Sequence, residues 1–208
     1  MPDVAALLLA DARFPAGGHA HSGGLEPAFA TGTVTDLPSL ELFLRGRLRT
    51  SGVTAAGLAA ASCNPLANWQ VLDAEADARM PSPTLRDASR RQGRALLRTV
   101  RAAWPEPGYL HDLGPAPHHP IVLGAGAAAA GCLPEQAARI AAYQSVSGPA
   151  SAAVRLIGLD PIAVSAIIAR IVPEIDAISW EGLPFPSAPN LDLLAEFHTT
   201  AEVRLFES

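Results

Sequence analysis

Alanine is the residue that most constrains the fold of this chain, because it fills 41 of the 208 positions. It has the highest intrinsic helix propensity, and here it is mixed with leucine, arginine and glutamate. Alternating β-branched residues, which indicate strands, are almost nowhere sustained. The sequence therefore predicts an all-α fold, a single-domain helical bundle of about eight to nine helices with short N-terminal helices and proline-rich loops. We expect one all-helical domain over residues 1–208, with room for flexible termini.

Caps and prolines predict where the helices begin and end. The clearest helix starts after Asp36, an N-cap residue, and its apolar residues recur every three or four positions to about Ser62. The helix that begins at Pro134 is expected to kink or break at Gly148-Pro149, because proline removes a backbone donor. The other predicted helices cover residues 3–12, 25–30, 66–79, 83–104, 120–132 and 161–180, with a last one capped by Asn190.

The absence of lysine excludes several chemistries, since all 15 cationic residues are arginine. Without lysine there is no lysine-containing phosphate loop, no Schiff base and no Ser-x-x-Lys nucleophile. The net charge of −5 argues against broad electrostatic binding of nucleic acid or anionic lipid. We therefore expect neither nucleic acid nor membrane as a partner.

The two cysteines, Cys63 and Cys132, show no metal-binding or redox spacing. They are expected to be small buried thiols in a reducing compartment. The start of the chain has no basic segment typical of a signal peptide, and the longest apolar run, residues 121–133, is too short for a membrane span. These features predict a cytoplasmic protein.

The glycine-rich segment 15–26 is the most unusual stretch, because glycines at this density specify backbone conformation. It contains His19 and His21, whose imidazoles could both bind one transition metal. Two ligands alone make a weak site, and the alternative is a pair of exposed or interface histidines. A second histidine pair, His118 and His119, lies in a proline-rich segment and is expected to be solvated.

A Gly-x-Gly-x-x-Ala pattern at residues 124–129 matches the relaxed dinucleotide-binding fingerprint. That fingerprint requires flanking strands and an acidic residue about 20 positions later, and neither is predicted here. Small residues that let two helices approach closely explain the pattern better.

One predicted helix carries an arginine every four residues. These arginines form either a solvated face or a docking surface for an acidic protein partner, since arginine pairs bidentately with carboxylates. Nucleic acid is disfavoured because no aromatic residues lie between them. The residues are Arg86, Arg90, Arg94 and Arg98, flanked by Arg91 and Arg101.

Four segments in register carry a family resemblance. The first is Leu-x-x-Ala-Asp-x-x-x-Pro-x-Gly-Gly at residues 8–18 followed by Ser-x-Gly-Leu-Glu at 22–26. The others are residues 89–98, residues 119–124 continuing to 152–156, and a tail with His198 and residues 204–208. Together they resemble the UreF family of urease accessory proteins over essentially the whole chain.

The resemblance implies a non-enzymatic, all-α chaperone or scaffold that forms a homodimer and has neither catalytic residues nor a cofactor. In that family the protein binds the accessory protein UreD or UreH, and the pair recruits the GTPase UreG to apo-urease for nickel insertion. The missing phosphate loop is consistent with this, because the nucleotide would belong to UreG.

The resemblance and the patterns above together give the expected partner-interface residues. Two departures from the family pattern are imidazoles at His19 and His21, where the family has aromatic residues, and Glu207 in place of a tail cation. Alternative functions are a metal-binding protein in which His19 and His21 join His118 or His119, and a dinucleotide-binding enzyme.

The partner-interface residues expected from the resemblance and the sequence patterns are Pro15, Gly17, Gly18, His19, His21, Ser22, Gly24, Leu25, Glu26, Arg90, Arg94, Arg98, Tyr143, Arg155, His198, Arg204 and Phe206.

Overall fold

The computed structural model describes residues 2–15, 21–199 and 205–206, and of residues 2 and 3 only the backbone. In these ranges every helix or strand element is a helix, which confirms the all-α prediction. The α-helices are α1 (Pro2–Ala10), α2 (Leu25–Ala30), α3 (Leu37–Arg47), α4 (Val53–Ser62), α5 (Trp69–Ala78), α6 (Pro83–Ala103), α7 (His119–Ala129), α8 (Pro134–Ile157), α9 (Pro161–Asp176) and α10 (Pro189–Thr199). A π-helical turn (Leu48–Gly52) joins α3 to α4, and a 3-10 turn covers Gly108–His111.

Helices α4 and α8 form the centre of the bundle. Helix α4 packs against α7 and α8, while α8 also contacts α3, α7 and α9. One part of the apolar core lies among α4, α6 and α7, and includes Leu58, Leu96 and Ile121. The other part lies among α3, α8 and α9, and includes Leu44, Val146 and Ile167. The fold therefore buries an apolar face from each long helix, which supplies most of its stability.

Glycines allow α7 to approach its two neighbours closely. A Cβ atom built on Gly124 would overlap the carbonyl oxygen of Ala59 in α4, and one built on Gly126 would lie 2.8 Å from Val100 Cγ2 in α6. The Gly-x-Gly pattern thus serves helix packing, as predicted. The dinucleotide-binding alternative is wrong, because no strand flanks the pattern in the described chain.

The long third helix is confirmed as α3, the π turn and α4 in direct succession. Asp36 caps its start, accepting a hydrogen bond from the Ser39 backbone N–H at 2.9 Å. Glu41 and Arg45, four residues apart on α3, form an ion pair at 2.8 Å. Arg170 of α9 donates to Glu41 at 2.5 Å, so this pair also ties α3 to α9.

The prediction of a break at Gly148-Pro149 is wrong, because α8 runs without interruption from Pro134 to Ile157. Pro149 has no N–H to donate to the carbonyl oxygen of Ser145, one turn earlier. Arg47 Nε donates to this oxygen instead, at 3.2 Å. A side chain from α3 thus supplies the hydrogen bond that the proline removes.

Three helix boundaries also differ from expectation. Helix α5 begins at Trp69, because the Asn68 side chain caps it by accepting from the Val71 N–H at 3.2 Å. Helix α9 ends at Asp176 rather than near residue 180. Helix α10 begins at Pro189, so Asn190 lies inside the helix and is not its cap.

Both cysteines are buried free thiols, as predicted. Cys63 Sγ donates to the carbonyl oxygen of Cys132 at 3.4 Å, and burial, assisted by Cys132, raises the pKa of the Cys63 thiol to about 11. The described helices include none long and apolar enough to cross a membrane.

Candidate partner-binding surface

The C-terminal tail is held by a buried carboxylate near the N-terminus. Glu26, in the first turn of α2, is only 8% exposed. Its Oε1 accepts the backbone N–H of Leu205 at 2.7 Å, and its Oε2 accepts that of Phe206 at 2.9 Å. His198 Nε2 lies 3.3 Å from the same Oε2. Helix α2 and the C-terminal tail, about 180 positions apart in the chain, therefore meet at one carboxylate.

The glycine-rich loop positions Glu26. Gly24 is the N-cap of α2 and has a left-handed conformation, with φ of 85°, which glycine adopts without strain. Ser22 Oγ accepts the backbone N–H of Glu26 at 3.2 Å. Leu25 is completely buried. Leu25 thus anchors the short helix in the core while Glu26 points toward the tail.

Two further predicted residues join this cluster. The Arg155 guanidinium lies over the ring of Phe206, 4.5 Å from the ring centroid. The carbonyl oxygen of Phe206 lies 3.3 Å from His198 Nε2. Sequence analysis named Glu26, Arg155, His198 and Phe206 without placing them together. We call these four residues the tail cluster.

Arg47 is a functional candidate that the sequence analysis missed. Its guanidinium donates to the carbonyl oxygens of Gly23 and Ser145, and so links the glycine-rich loop to α8. Burial lowers the pKa of Arg47 to about 10. The signal in the sequence was Pro149, which implied an unpaired carbonyl at Ser145 and hence a donor from elsewhere.

A second polar cluster joins α5, α6 and the start of α7. Arg90 donates to Asp73 Oδ2 at 3.0 Å, to Asp77 Oδ2 at 2.6 Å and to the carbonyl oxygen of Ala116 at 2.6 Å. Ser89 Oγ accepts the backbone N–H of His119 at 3.2 Å, capping α7 from a neighbouring helix. Arg90, which we expected at a partner interface, is thus engaged within the protein.

His118 is completely buried in this second cluster, so the expectation of a solvated histidine is wrong. Its Nε2 lies 2.9 Å from Asp77 Oδ1 and its Nδ1 lies 3.0 Å from Ser89 Oγ. Burial lowers the pKa of His118 although the hydrogen bond to Asp77 opposes this shift. The neutral imidazole therefore donates from Nε2 to the carboxylate and accepts the Ser89 hydroxyl at Nδ1.

The same cluster brings together three side chains that could bind a metal ion. One ligand atom each from Asp73, Asp77 and His118 lie within 4.8 Å of one another. However, the guanidinium of Arg90 already contacts both carboxylates, and the backbone N–H of His118 donates to Asp73 Oδ1 at 2.8 Å. The carboxylates thus already have a cationic partner, and the arrangement suits an internal ion pair.

Among the histidines of the metal alternative, the fold brings His119 rather than His118 toward His21. His21 is buried, and its imidazole is close enough to His119 to interact electrostatically. Burial, followed by the neighbouring His21, lowers the pKa of His119 to about 4. Gly17, Gly18, His19 and Arg204 lie outside the described residues.

The remaining predicted interface residues lie apart from the tail cluster. Pro15 accepts a hydrogen bond from Thr99 Oγ1 of α6 at 2.7 Å. Tyr143 is half-buried beside the core. Arg94 and Arg98 are exposed on α6. The structure therefore assembles part of the predicted set at the tail cluster and places the two exposed arginines on a separate helix.

The fold and the tail cluster define an all-α protein whose C-terminal tail is held against α2. The UreF family matches residues 34–172 of the chain. The chain is 44% identical to a protein named urease accessory protein UreF from Mycobacterium sp. (strain JLS), with 97% of each chain covered. It is 43% identical, over the whole of both chains, to the proteins of that name from Mycobacterium bovis (strain BCG / Pasteur 1173P2) and Mycobacterium tuberculosis (strain ATCC 25177 / H37Ra). The chain belongs to the UreF family.

Proposed function

We propose that this protein is a urease maturation factor that acts as a scaffold rather than as a catalyst. The observation that carries the proposal is the tail cluster, where Glu26 accepts two backbone N–H groups of the C-terminal tail. Such a contact holds the C-terminal tail against α2. Membership of a family of urease accessory proteins supplies the process in which that surface acts.

The proposed partners follow from the family. The scaffold binds a UreD- or UreH-type accessory protein, recruits a UreG-type GTPase and regulates its GTP hydrolysis, and delivers the assembly to apo-urease for nickel insertion. It works in the cytoplasm as a homodimer. The chain has no lysine for a phosphate loop, so the nucleotide belongs to the GTPase.

Exposed apolar side chains lie on the helix and the tail that contact Glu26. Leu193 and Phe197 of α10 and Leu205 of the tail are 56%, 66% and 71% exposed. Apolar side chains grouped on a surface are typical of protein-binding sites. The tail cluster would hold these side chains in a fixed arrangement and so lower the entropic cost of binding a partner.

The proposal predicts that Glu26→Ala weakens partner binding without unfolding the protein. The substitution removes hydrogen bonds to a charged acceptor, each contributing about 1.5–3 kcal/mol. We expect the accessory partner to be retained at least about tenfold less, equivalent to about 1.4 kcal/mol. The measurement is co-purification of this chain, expressed with its UreD-type and UreG-type proteins, together with hydrogen exchange at Leu205 and Phe206.

Glu106→Ala is the matched control, since Glu106 is an exposed acid in the connection between α6 and α7. It should leave both partner retention and tail protection unchanged. If the folded wild-type chain retained neither partner, the scaffold proposal would be wrong. If Glu26→Ala released the tail but bound both partners normally, the tail cluster would not be the binding surface.

A second candidate function is transition-metal binding, favoured by the electrostatic interaction of His21 with His119. Neutral imidazoles are good ligands for nickel, copper and zinc. Titration of the isolated chain with Ni²⁺ should then show stoichiometric binding that is lost in His21→Ala and in His119→Ala. The control is His111→Ala, because His111 is exposed in the 3-10 turn. Equal loss in the control, or no binding by the wild-type chain, would contradict this candidate.

A further inference from the structure

The fold uses only some of the arginines on α6. Arg86 donates to the carbonyl oxygens of Met80 at 2.6 Å and Pro81 at 2.9 Å. Arg90 pairs with Asp73 and Asp77. Arg101 donates to the carbonyl oxygen of Leu110 at 2.9 Å. These three side chains hold neighbouring segments in place, so their positive charges are accounted for by the fold.

Arg94 and Arg98 are not accounted for in this way. Both are exposed, and no carboxylate among residues 2–15, 21–199 and 205–206 pairs with either one. They are four residues apart on one helix, where like charges repel and destabilise the helix. A neutral helix-forming residue at either position would serve the fold better, which points to a role outside the fold.

Helix α6 also contacts both terminal segments of the chain. Near its end, Thr99 Oγ1 donates to the carbonyl oxygen of Pro15, at the start of the glycine-rich loop. At its beginning, the Thr84 N–H donates to Glu196 of α10 at 3.2 Å. Arg94 and Arg98 therefore lie on a helix that contacts both the glycine-rich loop and α10.

We infer that Arg94 and Arg98 form a docking site for a carboxylate-rich protein surface. The inference rests on the proposed function, in which that surface belongs to one of the maturation partners. Each guanidinium presents a planar set of N–H donors that can bind a carboxylate bidentately. The site thus selects its partner by negative charge.

Charge argues for an acidic protein partner, because neither Arg94 nor Arg98 pairs with a carboxylate in the described part of the chain. Nucleic acid is less suited, because the chain carries a net charge of −5 and α6 has no aromatic residue between its arginines.

The test is charge reversal in the full chain, Arg94→Glu with Arg98→Glu, measured by biolayer interferometry against each purified maturation partner. We expect affinity for the acidic partner to fall about ten- to a hundredfold, mainly through slower association. The salt dependence of binding should also become weaker, since screening acts on the charges that were removed. Arg94→Gln with Arg98→Gln should give a smaller loss in the same direction.

Arg139→Gln is the matched control, because Arg139 is an exposed arginine on α8 whose ion-pair partners among the described residues are the exposed acids Glu135 and Asp176. It should bind partners as the wild type does. If the wild type binds its partners and the charge-reversed chain, still helical by circular dichroism, binds them equally well, the inference is overturned while the proposed function stands. Failure of the wild type to bind any partner would reject the proposed function instead. If the wild type bound duplex DNA and the charge-reversed chain did not, the two arginines would form a nucleic-acid site, and the inference would be overturned.

Discussion

Gly93→Ala is expected to prevent normal packing of α6 on the start of α7 and to lower the free energy of unfolding by at least about 3 kcal/mol. A Cβ atom on Gly93 would overlap the carbonyl oxygen of Pro117, and the carbonyl carbons of Pro117 and His118 lie 3.0 and 3.1 Å from it. All three neighbours are backbone atoms, so no side-chain rotation can relieve the overlap.

The overlap would also disturb the second polar cluster. Ser89, one turn before Gly93, caps α7 and contacts His118, while Arg90 holds Asp73 and Asp77. Moving α6 away from Pro117 would lengthen these hydrogen bonds and expose a completely buried imidazole. The expected loss in the free energy of unfolding therefore comes from steric strain together with lost polar contacts.

Urea denaturation followed by circular dichroism measures this effect, with Gly46→Ala as the matched control. Gly46 lies in α3, and a Cβ atom built there meets nothing within 4 Å. The control should stabilise the protein by about 0.5–1 kcal/mol, because alanine favours the helix over glycine. A Gly93→Ala protein as stable as the wild type would show that α6 and α7 do not pack this closely.

Arg90→Met is expected to destabilise the protein by about 2–3 kcal/mol, because it leaves two neighbouring carboxylates without their cation. The side chains of Arg90, Asp73 and Asp77 are 25%, 24% and 44% exposed, so water reduces the penalty below that of a fully buried pair. Burial raises the pKa of Asp77, but the hydrogen bond from His118 and the charge of Arg90 outweigh it and hold this pKa below its ordinary value.

Arg94→Met tests whether the effect belongs to the ion pair rather than to the loss of any arginine from α6. Its exposed side chain has no carboxylate partner in the described chain, so the change should stay within about 0.5 kcal/mol. Adding Asp73→Asn and Asp77→Asn to Arg90→Met should recover part of the lost stability, since the repulsion between the two carboxylates is then removed. Equal unfolding midpoints for Arg90→Met and Arg94→Met would contradict this account.

Helix boundaries were predictable where the signal is local. Asp36 and Asp160 accept backbone N–H groups within three residues, so the sequence alone places these caps. The bounds of α2 also agree with the prediction, with Gly24 in a left-handed conformation at its N-cap. Pro149 failed as a local signal, because the donor that repairs its missing hydrogen bond is Arg47, about a hundred residues earlier in the chain.

The candidate site was predictable only as a set of residue types. Glu26, Arg155, His198 and Phe206 followed from the family resemblance, but the resemblance did not say that they meet. Arg90 and Arg94 belong to one periodic pattern, yet one completes an internal cluster and the other faces solvent. Periodicity places side chains on a helix face, whereas the neighbouring elements determine which of them are engaged.

By itself, the sequence determined the helical elements, the small residues that let the helices pack closely, and the absence of lysine chemistry. These properties depend on local propensity, on spacing along one helix or on residue identity. Only the tertiary structure decided that the tail binds Glu26, that His118 is buried against Asp77, and that Arg47 supports α8. Each of these contacts joins residues at least 41 positions apart, so it forms only when packing of the apolar core brings the elements together.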